Sequence, residues 1–483
     1  MRAILVRAIP VPVAAAAALL VVFWLRAGPS IPVEERLPVP ATHQVESQVV
    51  AWPGQFTKSD VEAPDLAGSW PCFRGPDHDG ISHDETPLVR SWGPEGPKPL
   101  WSVPVGVGYG AAAVRNGRVY LLDYDEAAQA DTLRCLALAT GKELWRRGYR
   151  IPIASSHGIT RTIPAVVEPY VVTMGPKCHV MCADSTSGEF LWGLDLVKEF
   201  GTTVPQWYTG QCPLIDAGRA ILAPAGKDVL MVGIECGTGR PAWTTPNRRG
   251  WKMTHSSIIP MDYKDRHMYV YCGSGGVVGV AGFDGDNYKA GDILWEREDW
   301  HVNFASVPSP VPIGDGRILL SGGYGTGSMM IRLKEEGGRL TSEIVWRIEK
   351  SKEFGSEQQT PIFYNGHIFA VLPSDAGALA GQMVCLDLEG KHVWTSGPPH
   401  RFGLGPYMIA DGLILAMDDN GRLTLVEASS VAYKELAEAT VLDGHETWGP
   451  MALAGGRLIV RDLQRMVCLD LRKEPGDGSP KDK

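Results

Sequence analysis

Ten residues spread from His157 to Trp448 carry side chains suited to binding or chemistry: His157, Arg161, Trp207, Tyr208, Gln211, His255, Gln358, Gln359, Glu446 and Trp448. Imidazoles exchange protons near neutral pH, so His157, His255 and also His445 would suit the acid or base of a lyase or hydrolase. Polar and aromatic groups such as Arg161, Trp207 and Tyr208, if they converge on one pocket, make a default binding site. Glu446, with Glu357, supplies the oxygen that a hard cation such as calcium requires. No subset of these residues forms a catalytic set at a spacing one element could hold, so none is assigned as catalytic. They can act together only if the fold gathers distant loops.

Other motifs lose their chemical reading when the spacing is checked. Asp77-His78-Asp79-Gly80 resembles the start of a calcium loop, but the further Asp and the closing Glu are absent, so a turn is expected and no metal site. Gly322-Gly323-Tyr324-Gly325-Thr326-Gly327 is glycine-rich, yet no helix follows to cradle a phosphate. The nine cysteines are odd in number and contain no Cys-x-x-Cys. Cys135 and Cys182 each precede a tryptophan by the same interval, and Cys385 and Cys468 share Cys-Leu-Asp-Leu. They read as small apolar residues at equivalent buried positions, not as disulfides or zinc ligands.

The elements that must position the ten residues follow from a repeat. Trp101, Trp145, Trp192, Trp243, Trp295, Trp346 and Trp394 each close a similar phrase, such as Gly141-Lys-Glu-Leu-Trp145 and Gly188-Glu-Phe-Leu-Trp192, at a period of about 49 residues. Between successive tryptophans come a short proline-led strand, a Gly turn, a β-rich run such as Val119–Leu122 or Met268–Tyr271, and another strand. Four short strands per unit make a propeller blade, and eight second strands are present. The chain stops at the third strand of the last unit, while Lys98–Val103 is a fourth strand with no blade before it. The expectation is an all-β, eight-bladed propeller of four-stranded antiparallel blades, closed by pairing of 98–103 with 466–471. The tryptophans are scaffold; each would bury on the order of 200 Å², about 5 kcal/mol before the opposing entropy. The least secure unit is 404–443, which has Ala439-Thr-Val-Leu442 in place of a terminal tryptophan.

The phrase ending Arg134-Cys-Leu-Ala-Leu-Ala-Thr-Gly-Lys-Glu-Leu-Trp145 resembles the pyrroloquinoline-quinone (PQQ) type repeat, shared by quinoprotein alcohol dehydrogenases and BamB-like outer-membrane-assembly propellers. The lead-in Trp70-Pro-Cys-Phe-Arg-Gly-Pro-Asp-His-Asp-Gly80 resembles that of membrane-anchored bacterial propellers of this kind. The resemblance covers about 66–471 and implies the fold. For a quinoprotein enzyme it also implies PQQ and calcium, a vicinal cysteine pair, a tryptophan floor, and calcium-binding Glu and Asn beside an Asp base. No two cysteines are adjacent here, so that carry-over stops at its most diagnostic residues.

The remaining sequence bears on location. Arg2 and Arg7 precede an apolar run from Ala8 to Leu25, and Glu34 and Glu35 follow it. Residues 1–27 therefore read as a membrane anchor or a cleaved signal peptide, with the body outside the cytoplasmic membrane, on its periplasmic side. Residues 28–65 are Pro-rich and read as an extended linker, 66–471 as the propeller, and 472–483 as a disordered tail. A net charge of −9 without a basic cluster argues against nucleic acid as a partner. The function expected is a non-catalytic binding scaffold with no cofactor, engaging a protein or cell-surface polymer through the funnel face. The alternative is a PQQ- and calcium-dependent oxidoreductase. The long loops 146–163 and 193–212 should make the site lopsided towards blades two and three.

Overall fold

The computed structural model describes residues 17–22, 49–351 and 353–473. Residues 17–22 are helical. Among the described residues no helix is long and apolar enough to cross a membrane, and most of the expected anchor, 1–16 and 23–27, lies outside them. So do linker residues 28–48 and tail residues 474–483.

Period-two alternation and Gly turns produce eight antiparallel sheets of four strands each, ordered as in the sequence. Blade 1 is Ala112–Arg115, Arg118–Asp125, Ala130–Ala137 and Glu143–Arg150; blade 7 is Tyr407–Ala410, Leu413–Met417, Arg422–Glu427 and Glu435–Thr440. First strands of blades 8, 1, 2 and 3 touch in turn, so the first strand of a blade is innermost. Lys98–Pro104 pairs antiparallel with Arg465–Asp470, Lys98 opposite Asp470 and Val103 opposite Met466, and this closes the ring. The eight-bladed expectation and its closure both hold, blade 7 included.

The repeat phrase has a direct packing explanation. Gly141, Gly188 and Gly239 have φ of 68°, 75° and 70°, and a Cβ on each would lie 2.6–2.8 Å from the indole of the preceding blade's Trp101, Trp145 or Trp192. The Nε1 of Trp101, Trp192, Trp346 and Trp394 donates to a backbone carbonyl of the next blade, at Leu138, Cys236, Leu388 and Ser429, over 2.7–2.9 Å. Blade 7 lacks the tryptophan. Trp92 serves its outer strand instead, its indole donating to Glu438 O at 2.9 Å.

The N-terminal segment departs from the linker expectation. Gln55–Lys58 adds a fifth strand to the outer edge of blade 1, with Phe56 opposite Arg147, whose guanidinium lies 4.4 Å over the Phe56 ring. A strand-forming Gln-Phe-Thr-Lys beside an open edge is stabilised by pairing, so within 49–65 the chain is docked rather than extended. Farther on, Trp70 bridges Val114 of blade 1, and Val166 N of blade 2 donates to Pro71 O. Ile81–Ser82 then pairs parallel with Ile409–Ala410 at the inner edge of blade 7. The lead-in motif is thus a plug across the axis. Its pin is Arg74, 8 % exposed. Arg74 donates to the carbonyls of His78, Asp79, Thr360 and Pro361 at 2.6–3.0 Å, and burial pulls its pKa down to about 10.

Polar groups are also buried between blades 1 and 2. Asp131 is fully buried; its Oδ2 accepts from Tyr149 Oη at 2.9 Å, and its Oδ1 has no partner. His179, 2 % exposed, lies 3.6 Å from Asp195. Burial raises the Asp131 carboxyl to about pH 7, against the opposing pull of Tyr149, His179 and Lys177.

Two outcomes follow. Arg74→Ala would leave four carbonyls, those of Thr360 and Pro361 in buried contacts, short of a charged donor, and denaturant unfolding should show a loss of about 3 kcal/mol or more. The raised Asp131 pKa means the folded state keeps a proton that the unfolded chain loses near pH 4. Stability should therefore fall as pH rises from about 4 to about 7, at about 1.4 kcal/mol per pKa unit. Asp131→Asn should flatten that slope; an unchanged pH profile of unfolding would contradict the buried, protonated carboxyl.

Candidate functional site

Fourth-to-first and second-to-third strand connections share one face of a propeller; the tight first-to-second turns share the other. The plug approaches from the second face. Gly68 packs against Gly455, Asp84 accepts from Gly455 N at 2.6 Å, and Leu88 N donates to Asp411. All of these contacts fall at first-to-second turns. The loops leading into the inner strands therefore ring a funnel on the opposite face, with the plug between the two mouths.

Most of the ten expected residues meet there. Arg161 is the organiser on one side: Nε donates to Trp207 O at 2.6 Å, and Nη2 donates to Ser156 O at 3.1 Å and His157 O at 2.7 Å. Its guanidinium also lies 5.3 Å from the Tyr109 ring, and burial lowers its pKa to about 10. Among the described residues no ion pair between blades uses it. Tyr208 Oη donates to Ala154 O at 2.6 Å, so the two entry loops are tied together as a unit; they are shorter than expected, because 146–150 belong to blade 1's fourth strand and 193–200 to the end of blade 2's fourth strand and a short helix, Leu196–Phe200. Trp207 and His255 lie on the same face, ring centroids 6.5 Å apart.

On the other side Trp448 stacks on Tyr109 at 5.4 Å and 19°, and its Nε1 donates to Asp419 Oδ1 at 2.7 Å. Tyr109 Oη donates to Glu446 at 2.7 Å. Gln359 Nε2 donates to the carbonyls of Leu404 and Trp448, and Gln358 reaches Tyr324 Oη at 3.5 Å. Gln211 is the exception. It is fully buried, and its amide is satisfied in both directions by Ala223. Its place before an inner strand matched the others, but its side chain turns into the blade.

Phe304, Tyr324 and the carboxylate Asp419 are funnel residues not singled out from the sequence. Phe304, 60 % exposed, lies 5.1 Å from Trp207 and 5.0 Å from Tyr324. Tyr324 sits in the glycine-rich turn, which is a turn between strands as expected but carries a ring to the funnel. The available signal was positional: Phe304 occupies the loop into blade 5 as Trp207 does into blade 3. The aromatic arc runs from His157 through Trp207 and Phe304 to Tyr324, so the lopsidedness extends to blade 5.

Several of these residues hold left-handed backbone without being glycine: His157 (φ 51°), Trp207 (61°), Tyr208 (73°), Tyr324 (55°) and Glu446 (56°). Bulky side chains avoid that region, and such strain concentrates at ligand-binding loops. Burial, then the charge of Arg161, lowers His255 to about 4, so its ring is neutral at physiological pH.

Carboxylates in the funnel stand apart. Glu357 accepts from Ser374, Glu446 from Tyr109, and Asp419 from Trp448 and Leu404 N. Among the described residues the grouping of acidic and imidazole ligands is Asp77, Asp79 and His83. It flanks the Ile81–Ser82 strand of the plug, with Asp77 and Asp79 before it and His83 after it, and includes none of the funnel carboxylates. All nine cysteines are free and buried.

The family described as outer membrane protein assembly factor BamB matches residues 129–335. Among solved structures, a quinohemoprotein alcohol dehydrogenase from Pseudomonas putida HK5 aligns at 11% identity and a TM-score of 0.57, over 86% of this chain and 82% of that one. BamB from Moraxella catarrhalis aligns at 12% and 0.48, over 77% and 97%. A quinohemoprotein alcohol dehydrogenase from Comamonas testosteroni aligns at 13% and 0.42, over 86% and 82%. Such identities speak to the fold alone. No curated protein sequence matches the chain.

The His255 environment gives a direct expectation. Its folded pKa lies below the unfolded value near 6.5, so its share of stability is present above that value and is lost as pH falls towards about 4. An NMR titration should place the His255 midpoint near 4; a midpoint at 6 or above would mean the ring is not enclosed beside Arg161.

Proposed function

We propose that this chain, a β-propeller of the PQQ-like repeat family, is a non-catalytic binding scaffold outside the cytoplasmic membrane that engages a protein or a cell-surface polymer through its funnel. The observation that carries the reading is how the funnel's ionisable groups are used. Arg161, Glu446, Glu357 and Asp419 are all hydrogen-bonded to neighbouring loops, which fixes a rim shape. The apolar run 8–25 with its flanking charges supports export and tethering.

A quinoprotein reaction would ask for something different. PQQ is an anionic ortho-quinone, and its calcium needs clustered carboxylate and amide oxygens beside a base. The funnel offers one guanidinium already donating to three carbonyls and carboxylates held apart by separate partners. These residues do not fit that group, and no step is derived through it.

The test is retention of cofactor. Purified protein incubated with PQQ and calcium chloride, then desalted, should show no quinone absorbance. Stoichiometric retention, abolished by Glu446→Gln, would overturn the scaffold reading in favour of a quinone-dependent oxidoreductase.

A further inference from the structure

The funnel's ring geometry narrows what it can hold. Trp207, Phe304 and Tyr324 follow one another at 5.1 and 5.0 Å between centroids, tilted by 55° and 56°. Across the axis Tyr109 and Trp448 form a second, stacked pair. Left-handed backbone at Trp207 and Tyr324 fixes how those rings are presented, and Arg161 holds the carbonyl of Trp207 itself. A rigid, partly exposed series of rings favours a ligand with flat apolar faces and little to gain from flexibility.

Charge and backbone both argue against the commonest alternatives. The charged groups bordering the arc are engaged within the protein: Arg161 with three carbonyls, Glu357 with Ser374, Asp375 with Ser351 and Gly325 N. A charged ligand would have to break those bonds to find a counter-charge. A peptide added as a strand needs a free sheet edge. Blade 7's inner edge is taken by Ile81–Ser82. Rim carbonyls at Ala154, Ser156, His157, Trp207, Leu404 and Trp448 already accept side-chain donors. What remains is ring surface together with the Gln358 amide, whose Nε2 reaches Tyr324 Oη at 3.5 Å.

We infer that the aromatic arc Trp207–Phe304–Tyr324 is a platform for a neutral glycan chain, whose sugar faces stack on the rings while hydroxyls meet the Gln358 amide. The inference rests on the funnel being the working face, and it chooses polymer over protein as the partner. Stacking of sugar C–H faces on aromatic rings uses the ring quadrupole and excludes water without needing charge.

Calorimetric titration of the full chain with neutral hexasaccharides (cellohexaose, xylohexaose and chitohexaose) should give binding to at least one, little changed between 50 and 500 mM salt. Trp207→Ala and Phe304→Ala should weaken it about tenfold or more. Phe304→Tyr should retain it and so separate loss of the ring from loss of the fold. Phe283→Ala, an exposed aromatic away from the arc, should leave it unchanged. A parallel titration uses the peptide (Val-Lys)4. Peptide binding that depends on Trp207, with no hexasaccharide binding, would overturn the glycan assignment and leave the funnel reading standing. Absence of both would overturn the glycan assignment and count against the funnel as the working face.

Discussion

The contact on which the whole ring depends is the indole of one blade laid against the turn glycine of the next. At Gly141, Gly188 and Gly239 the backbone is left-handed and the neighbouring indole leaves no room for a Cβ. Two independent constraints therefore require glycine at the same place, one conformational and one steric. At Gly141 and Gly239 the indole Nε1, of Trp101 and Trp192, also satisfies a carbonyl at the end of the neighbour's third strand, whereas Trp145 Nε1 at Gly188 is buried without a partner. Each blade is thus oriented by its predecessor, and the repeat propagates a fixed rotation until Lys98–Pro104 meets Arg465–Asp470. Blade 7 shows how the rule tolerates an exception. There Ala439 takes the place of the indole against Gly96, and Trp92, from a segment far away in sequence, donates to Glu438 O of blade 7's own outer strand.

A closed ring still has two open mouths. The plug at one of them changes what the other can be. Arg74 spans the axis by donating to carbonyls on its own loop and on the approach to blade 6. Buried cations without a carboxylate partner are costly, and this one is stabilised by four backbone oxygens. The result is a funnel with a floor rather than a through-channel. A floored funnel suits a surface that grips a chain-like ligand across its rim, with the rim loops braced against one another by Arg161, Tyr208 and Gln359.

The same economy explains why the funnel looks chemically quiet. Arg161, Glu357, Asp419 and Glu446 are each turned to a structural use. His255 is kept neutral by burial beside Arg161, and Glu446 accepts from Tyr109. The residues left presenting surface are rings. The polar cluster of Asp131, Tyr149 and His179 lies between blades rather than at the rim, and its consequences are for stability.

The sequence by itself determined the ring. Its period, its terminal tryptophans, the Gly turns and the unpaired fourth strand at Lys98 contain the blade count and the closure, because every blade repeats the same local contacts. It also placed Arg161, Trp207, His255, Gln359 and Trp448 on one face, since register within a repeat maps onto position around an axis. Tertiary structure alone decided the rest. Gln211 shares that register, yet its amide closes on Ala223 inside the blade, a choice of side-chain direction that register does not contain. Gln55–Lys58 has a linker's proline-rich surroundings, and only an open blade edge makes it a strand. The role of the Trp70–Gly80 motif as a plug depends on Thr360 and Pro361, some 286 residues away. Contacts that recur from blade to blade leave a periodic trace in the chain; contacts made once, across the axis, leave none.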